Sequence, residues 1–365
     1  MKGLTRILWL LYQCFACYTL LIYTLILLVP FGGWLAGFMM MSFPIVVFIH
    51  LVSVPVWFVV ERKKAILPLI MVGAACFFLP RTYAFNSTAE NVTAAEGAKE
   101  FSVMNYNVHV FQRNSGAWKS EVKREIRKMK SWIIDSQADV ICMPEYFNDD
   151  ELKGVLDTRN YFSANGYQYN ALHSQKKQGK RKGYWGLAVF SKYPIVAVRD
   201  TVFEEQNGMI QTDIKVGEDT VRVLALHLYS MTLQLGALVA QKEMDGIKRE
   251  GRITFGKMKN GFTRRAAEYE IVQSWVDQSP YPLIVCGDFN EVPYGYVYGK
   301  LRKHLRNSFE EKGRGFGFTY NQIPYFIRID HQFYDDSRLS LHAFRTFSKV
   351  PYSDHNPIMG TYTVK

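Results

Sequence analysis

The chain has 365 residues, 48% of them hydrophobic and only 21% charged, with a formal net charge of +11. Six basic residues and one acidic residue lie before residue 86, so the remaining 280 residues carry only +6. That excess permits an anionic substrate or surface but excludes the heavy basic coating of a tight binder of long nucleic acid.

The apolar sequence is concentrated at the N-terminus. Residues 7–29 contain no charge over 23 positions, and 35–60 contain none over 26. At about 1.5 Å per residue each is long enough to cross a hydrocarbon core of about 30 Å. Residues 65–80 would reach only about 24 Å as a helix, so the third span is the marginal one. Lys2 and Arg6 precede the first run, Glu61-Arg62-Lys63-Lys64 follows the second, and the 30–34 connector is uncharged. The positive-inside rule places the two basic ends in the cytoplasm. Three crossings then put the rest of the chain outside a cell membrane; two crossings would leave it in the cytoplasm. The expected organisation is a multi-pass anchor at 1–81, a polar linker at 82–99 and a catalytic domain at 100–365. Two glycosylation-type triplets, at Asn86 and Asn91, fall in the linker and carry no weight there.

From Phe101 the pattern changes. FSVMNYNVHVF reads as a strand, with His109 on the same face as Asn107. The stretch 119–136 reads as an amphipathic helix with Val122, Ile126, Met129, Ile133 and Ile134 on one face. ADVICMPEY and GLAVFSKYPI are strands, and MIQTDIKVGEDTVRVLALHLYS is a hairpin turning at Gly217. A helix is expected over 262–277, preceded by a basic segment, 231–261, that reads as a helical insertion or lid. YPLIVCGDFN, FIRIDHQFYD, LHAFRTFS and PIMGTYTV complete the strands. Antiparallel hairpins outnumber parallel crossovers, which favours an α+β two-sheet sandwich over a doubly wound sheet. The five cysteines, Cys14, Cys17, Cys76, Cys142 and Cys286, have neither zinc nor disulfide spacing and read as small buried hydrophobes.

Asn107, Glu145, His227, Asp288, Asn290, Asp330, Asp354 and His355 stand at the ends of apolar strands. Any one of these could cap a turn. Buried together, such carboxylates are costly unless paired or bound to a cation, and an oxygen-rich set with imidazoles and no thiolate suits a hard metal. His331 should face the opposite side from Asp330. The basic run 173–186, with Tyr184 and Trp185, fits a solvated loop or a phosphate- or lipid-contacting one. Arg264 and Glu268 have the spacing of a helical ion pair. GRGFGFTY at 313–320 reads as a mobile loop, because no helix or lysine completes a nucleotide motif.

The ordered blocks Tyr106-Asn107-Val108, Pro144-Glu145, His227-Leu228-Tyr229-Ser230, Gly287-Asp288-Phe289-Asn290, Ile329-Asp330-His331 and Ser353-Asp354-His355-Asn356-Pro357 resemble the endonuclease/exonuclease/phosphatase superfamily, the DNase I-like fold. The resemblance covers about 101–365 and leaves the N-terminal helices outside it. It implies a four-layer α/β/β/α sandwich that hydrolyses phosphate esters with Mg²⁺, or with Mn²⁺ or Ca²⁺ in its place. It also implies Glu145, Asn107 and Asp354 as metal ligands, Asp288 as the group orienting water, and Asn290 as a phosphate ligand. Asp330 would hold His355 as base or electrophile, with His227 as a second phosphate ligand or general acid. Met143-Pro144 stands where relatives often carry glutamine before the acid, a change of shape beside the ligand. Substrate readings divide between nuclease-like cleavage and a phospholipid, sphingolipid or inositol-phosphate ester, and no protein partner is inferable. An inert membrane-tethered binding domain is disfavoured because the acid and the Asp-His pair are retained. Transport by the N-terminal helices is disfavoured by their lack of charge.

Overall fold

The computed structural model describes residues 2–86, 99–116, 119–149, 154–173, 183–204, 206–231, 239–241 and 243–365. The first apolar run forms α1 (Lys2–Leu28). The second forms α2 (Trp34–Met41) and α3 (Phe43–Val60), meeting at Ser42. The third forms α4 (Ile66–Ala75) and α5 (Leu79–Thr82), which short 3-10 turns extend into one helical run, Arg62–Thr82. That run has 21 residues, because the basic turn at its start and Arg81–Thr82 at its end also wind into helix. All three runs are long and apolar enough to cross a membrane.

Beyond them lie two mixed six-stranded sheets. One orders its strands as β10 (Arg306–Asn307), β12 (Asp330–Tyr334), β9 (Leu283–Asp288), β8 (Asp219–His227), β7 (Asn207–Val216) and β6 (Ile195–Glu204). The other orders β13 (Leu339–Thr346), β14 (Ile358–Val364), β2 (Phe101–Asn105), β3 (Val140–Asn148), β5 (Tyr184–Ser191) and β4 (Tyr169–Leu172). Among the described residues, the β2–β3 and β8–β9 pairs are parallel and the other strand pairs of the two sheets antiparallel.

Alternation along each strand then sorts side chains between two faces. Val223 and Ala225 of β8 and Ile284 and Cys286 of β9 enter the core between the sheets, together with Phe101, Val103 and Cys142. Leu224, Leu226 and Val285 point the other way, onto the long helix α8 (Met244–Asp277) and the short helix α9 (Tyr296–Leu301). On the far side, Met104, Ile141 and Met143 meet Ile126, Met129 and Ile133 of α6 (Ser120–Asp135). The four layers are helix, sheet, sheet, helix. Because both faces of the central strands are covered, they read as continuous apolar runs.

The three apolar runs are packed onto the sandwich. Ile22, Ile26, Val29, Ala36 and Phe43 share one apolar cluster with Val272, Trp275 and Val297 of the sandwich's outer helices. A Cβ on Gly37 would lie 2.4 Å from the Phe262 ring, so the α2–α8 contact depends on that residue having no side chain. Lys303 reaches the Leu28 carbonyl at 2.5 Å, and Thr82 bonds Tyr294 at 2.5 Å. The presumed linker also starts as ordered chain: β1 (Ala84–Phe85) pairs with β11 (Arg314–Gly315).

Several sequence expectations need correction. Of the five cysteines, Cys142 and Cys286 are buried, but Cys14, Cys17 and Cys76 lie on exposed faces of the apolar helical runs. The strand beginning at Phe101 ends at Asn105 and not at Phe111; His109 opens a tight turn with φ 43°. The helix expected over 262–277 begins at Met244, absorbing most of the supposed insertion. The 313–320 segment is partly strand, through β11. Residues 87–98, with the Asn91 triplet, and 174–182 of the basic loop lie outside the described residues.

Candidate active site

Strand ends bring the site together. His227 closes β8 and Asp288 closes β9, and these residues are parallel partners; Asp330 opens β12 directly opposite Asp288. The same alternation that sends Val223, Ala225, Ile284 and Cys286 between the sheets places His227 and Asp288 at the end of that seam. Gly287 makes the convergence feasible: at φ 157° its missing Cβ would lie 2.0 Å from the Leu226 carbonyl oxygen.

His355 is the centre of the arrangement. Its Nδ1 lies 2.7 Å from Asp330 Oδ2, and its Nε2 faces Asp288 Oδ2 at 3.7 Å. Burial opposes a charged ring, but Asp330, Asp288 and Asp354 outweigh it and push His355 up to about 10. Burial raises Asp288 to about 6, against the lowering pull of His355. Asp288 accepts from the Asn290 backbone N–H at 2.9 Å and from Asn107 Nδ2 at 3.0 Å. The Asn107 amide also donates to Glu145 Oε1 at 3.2 Å, bridging two carboxylates from opposite sheets.

Glu145 sits in a β-bulge between Met143 and Tyr146 with φ 52°, an orientation that strain-free strand geometry would not give. Pro144 lacks the N–H that a regular ladder would use there, so the unusual Met143-Pro144 pair fits the bulge. Asn290 is likewise left-handed, with φ 50°, and its Nδ2 donates to the Leu228 carbonyl at 3.0 Å. That bond commits the amide to holding the turn after His227. His227 is buried, which lowers its pKa, and Nε2 lies 3.9 Å from Asp288 with no hydrogen-bond partner among the described residues.

Asp354 meets His109, which the sequence set on the Asn107 face of a strand and the structure sets in a turn. His109 Nδ1 is 3.1 Å from Asp354 Oδ1, and that bond raises His109. Burial opposes ionisation of Asp354, yet His109 and His355 hold it below the ordinary carboxylate range. The turn that ends β2 early is what swings His109 there; its N–H donates to Asn107 Oδ1 at 3.0 Å.

The eight expected residues therefore converge through Asn107, Asp288 and His355. Several supporting groups went unread. Asn105 donates to Asp330 Oδ1 at 3.0 Å, Thr319 Oγ1 accepts from the Asp330 N–H at 3.1 Å, and Ser353 Oγ donates to the Asn107 carbonyl at 2.8 Å. Tyr320 stacks edge-on to His355 at 5.3 Å. Asn105 had a signal, since it follows Phe101 and Val103 at period two. The Arg264–Glu268 pairing expected of the helix does not describe what these residues contact. Arg264 reaches Glu204, Glu268 accepts from the Tyr229 N–H at 2.8 Å, and Arg265 donates to the Tyr229 carbonyl at 3.1 Å. His331 lies on the other face, as its position predicts, with Nε2 2.8 Å from the Glu291 carbonyl.

Glu145, Asp288, Asp330 and Asp354 gather in this cleft, and among the described residues no lysine or arginine pairs with any of them. Asp288, Asp330 and His355 present ligand atoms within 4.8 Å of one another, although the Asp330–His355 hydrogen bond accounts for that closeness. An oxygen-rich set whose charged partners are histidines alone, with no thiolate, fits a hard cation.

Residues 104–355 match the model of the Endonuclease/Exonuclease/phosphatase family. The chain belongs to that family. Its members are phosphoester hydrolases, and the matched span runs from β2 to His355. Residues 5–82 match a second model, a domain of unknown function (DUF8431). No curated protein matches the chain. Among solved structures, the human Nocturnin catalytic domain with bound sulfate aligns with a TM-score of 0.51 and 15% identity, covering 73% of this chain and 98% of that one. An endonuclease/exonuclease/phosphatase family protein from Bacteroides thetaiotaomicron aligns with a TM-score of 0.50 and 16% identity, covering 73% and 99%. At such identities these structures speak for the sandwich fold alone.

Proposed function

We propose that the protein is a membrane-anchored, divalent-metal-dependent hydrolase of phosphate esters. The observation that carries this reading is the Asp330–His355 pair, aimed at Asp288 beside carboxylates that no lysine or arginine pairs among the described residues.

Glu145, Asn107 and Asp354 would hold Mg²⁺, with Mn²⁺ or Ca²⁺ as substitutes. When bound, the ion neutralises phosphate charge and stabilises the leaving oxygen. Asp288 orients the attacking water and takes up its proton. Asp330 fixes Nδ1 of His355, leaving Nε2 to donate to a phosphate oxygen; the surrounding carboxylates raise the ring's pKa and so favour its protonated form. His227, buried and unpaired at Nε2, supplies a second contact to the phosphate. Asn290 and Asn107 act by position, the first holding the 228 turn and the second spacing Glu145 from Asp288.

The three apolar runs are the anchor. Leu28 and Thr82 meet the sandwich, whereas the basic turn at 62–64 terminates the opposite end of α3. Three crossings and the positive-inside rule then set the catalytic domain on the extracytoplasmic face. Because the anchor shares apolar packing with α8 and α9, the test uses the full chain in lipid nanodiscs. Mg²⁺-dependent release is compared from DNA, RNA, sphingomyelin, phosphatidylinositol and inositol phosphates, with Glu145→Gln and His355→Ala as controls. Turnover abolished in both variants supports the reading; turnover that survives either, or that ignores chelation of the metal, overturns it.

A further inference from the structure

A cavity of about 450 Å³ adjoins the catalytic centre through Tyr320 and Asn356; Phe316, Phe318 and Tyr325 give it an aromatic side and Arg314 a polar one. Its inner wall belongs to the catalytic centre. Tyr320 packs on the His355 ring, and Asn321 holds the 353–354 turn through bonds to the Ser353 and Asp354 carbonyls at 2.7 and 2.9 Å. Its outer wall touches the end of the third apolar run. Tyr83, the residue after the third apolar run, stands edge-on to Phe316 at 5.0 Å, and Phe316 stacks on Phe318 at 5.1 Å. Pairing of β1 with β11 fixes that junction in register.

The rim is apolar where water would be expected to favour polar groups. Phe85, Phe316, Tyr325 and Phe326 are exposed, at 48–74% of their full area. On α8 the exposed Ile247, Ile253 and Phe255 alternate with Lys248, Arg249 and Arg252. Phe255 stacks on Phe38 at 4.8 Å and Lys259 lies over Trp34 at 5.0 Å, both at the start of the second apolar run. Farther along the same helix, a Cβ at Gly261 would meet Met231, four residues past His227. Aromatic and basic groups continuous with the ends of spanning helices are what a bilayer interface covers.

We propose that the site takes a phospholipid still seated in the bilayer, its phosphodiester at His355 and Asp288 and its glycerol and acyl roots in the aromatic cavity. The assignment rests on the hydrolase reading above and names its substrate class. The reaction is ordinary hydrolysis: water oxygen bonds to phosphorus, one ester P–O bond breaks, and the departing alkoxide receives the proton.

The full chain in phosphatidylcholine nanodiscs containing phosphatidylglycerol with a diazirine in one acyl chain provides the test. Irradiation is expected to cross-link the loop 316–326 as well as the apolar helices. Phe316→Ser with Tyr325→Ser should cut the loop cross-links at least about tenfold, since two aromatic contacts are lost, and leave those on the helices. Labels confined to the helices, or loop labels indifferent to the two substitutions, overturn the proposal. Metal-dependent cleavage of water-soluble bis(4-nitrophenyl) phosphate by the same preparation separates the two readings. Cleavage without loop labelling removes the lipid assignment and keeps the hydrolase. Loop labelling without cleavage of any ester keeps the lipid seat and removes turnover.

Discussion

Asp330 Oδ2 lies 2.7 Å from His355 Nδ1, and the ring's other nitrogen faces Asp288 at 3.7 Å. A carboxylate so placed fixes the tautomer and keeps the ring protonated. Asp330→Asn should retain the fold and lower kcat by roughly 10²- to 10⁴-fold with little change in KM, the range of a lost acid-base contribution. A fall in KM-limited binding with kcat intact would contradict this role. Steady-state kinetics on the ester identified by the substrate panel decide it.

Asn107 donates to Glu145 and Asp288 at once. Removing its amide leaves two carboxylates of opposite sheets facing each other without a shared donor. In Asn107→Ala the Mg²⁺ concentration for half-maximal activity should rise roughly 10- to 100-fold, as for other groups that orient metal ligands. Metal titration of activity and calorimetric binding of Mg²⁺ both report it.

Gly37 and Phe262 leave no room for a side chain between α2 and α8. Gly37→Leu should therefore separate anchor from sandwich without blocking insertion of an apolar helix. We expect a lower unfolding midpoint, by about 1–3 kcal/mol of overpacking, and faster proteolysis within α8. An unchanged midpoint in nanodiscs would mean that the two parts do not pack as described.

His331 is buried beside Phe289 and Tyr298, and burial lowers its pKa to about 3. Above pH 6.5 the ring is neutral in both folded and unfolded chains, and its full contribution is present. Between pH 6.5 and 3 the unfolded chain binds a proton that the folded one refuses, so stability falls as pH falls, by up to about 1.4 kcal/mol per pH unit. His331→Gln, which keeps a donor for the Glu291 carbonyl and cannot titrate, should flatten this slope. Denaturant unfolding from pH 7 to pH 4 measures the difference.

Part of the site was legible because three of its residues stand at the ends of apolar strands whose parity can be counted. His227, Asp288 and Asp330 needed only that alternation and the strand order. His109 was placed on a strand because the sequence NVHVF alternates like one; the chain turns instead at positive φ, which composition does not signal. Asn290 was expected on phosphate, but its amide is held by a carbonyl 62 residues away in sequence, a long-range contact. The first half of α8 was read as a separate helical insertion because it lacks a regular apolar face; Ile247 and Ile253 are exposed and Phe255 meets Phe38 instead of the sheet. The contacts of the N-terminal helices with the sandwich could not be read at all, since they depend on which helix faces lie against which.

The chain enters the sandwich at Thr82 and touches it again at Leu28 and Gly37. Where these helices span a bilayer, two separated attachments hold the enzyme at one height and one tilt. Its hunt for substrate is then lateral, by drifting within the sheet of lipids, and molecules far out in solution have to come to it.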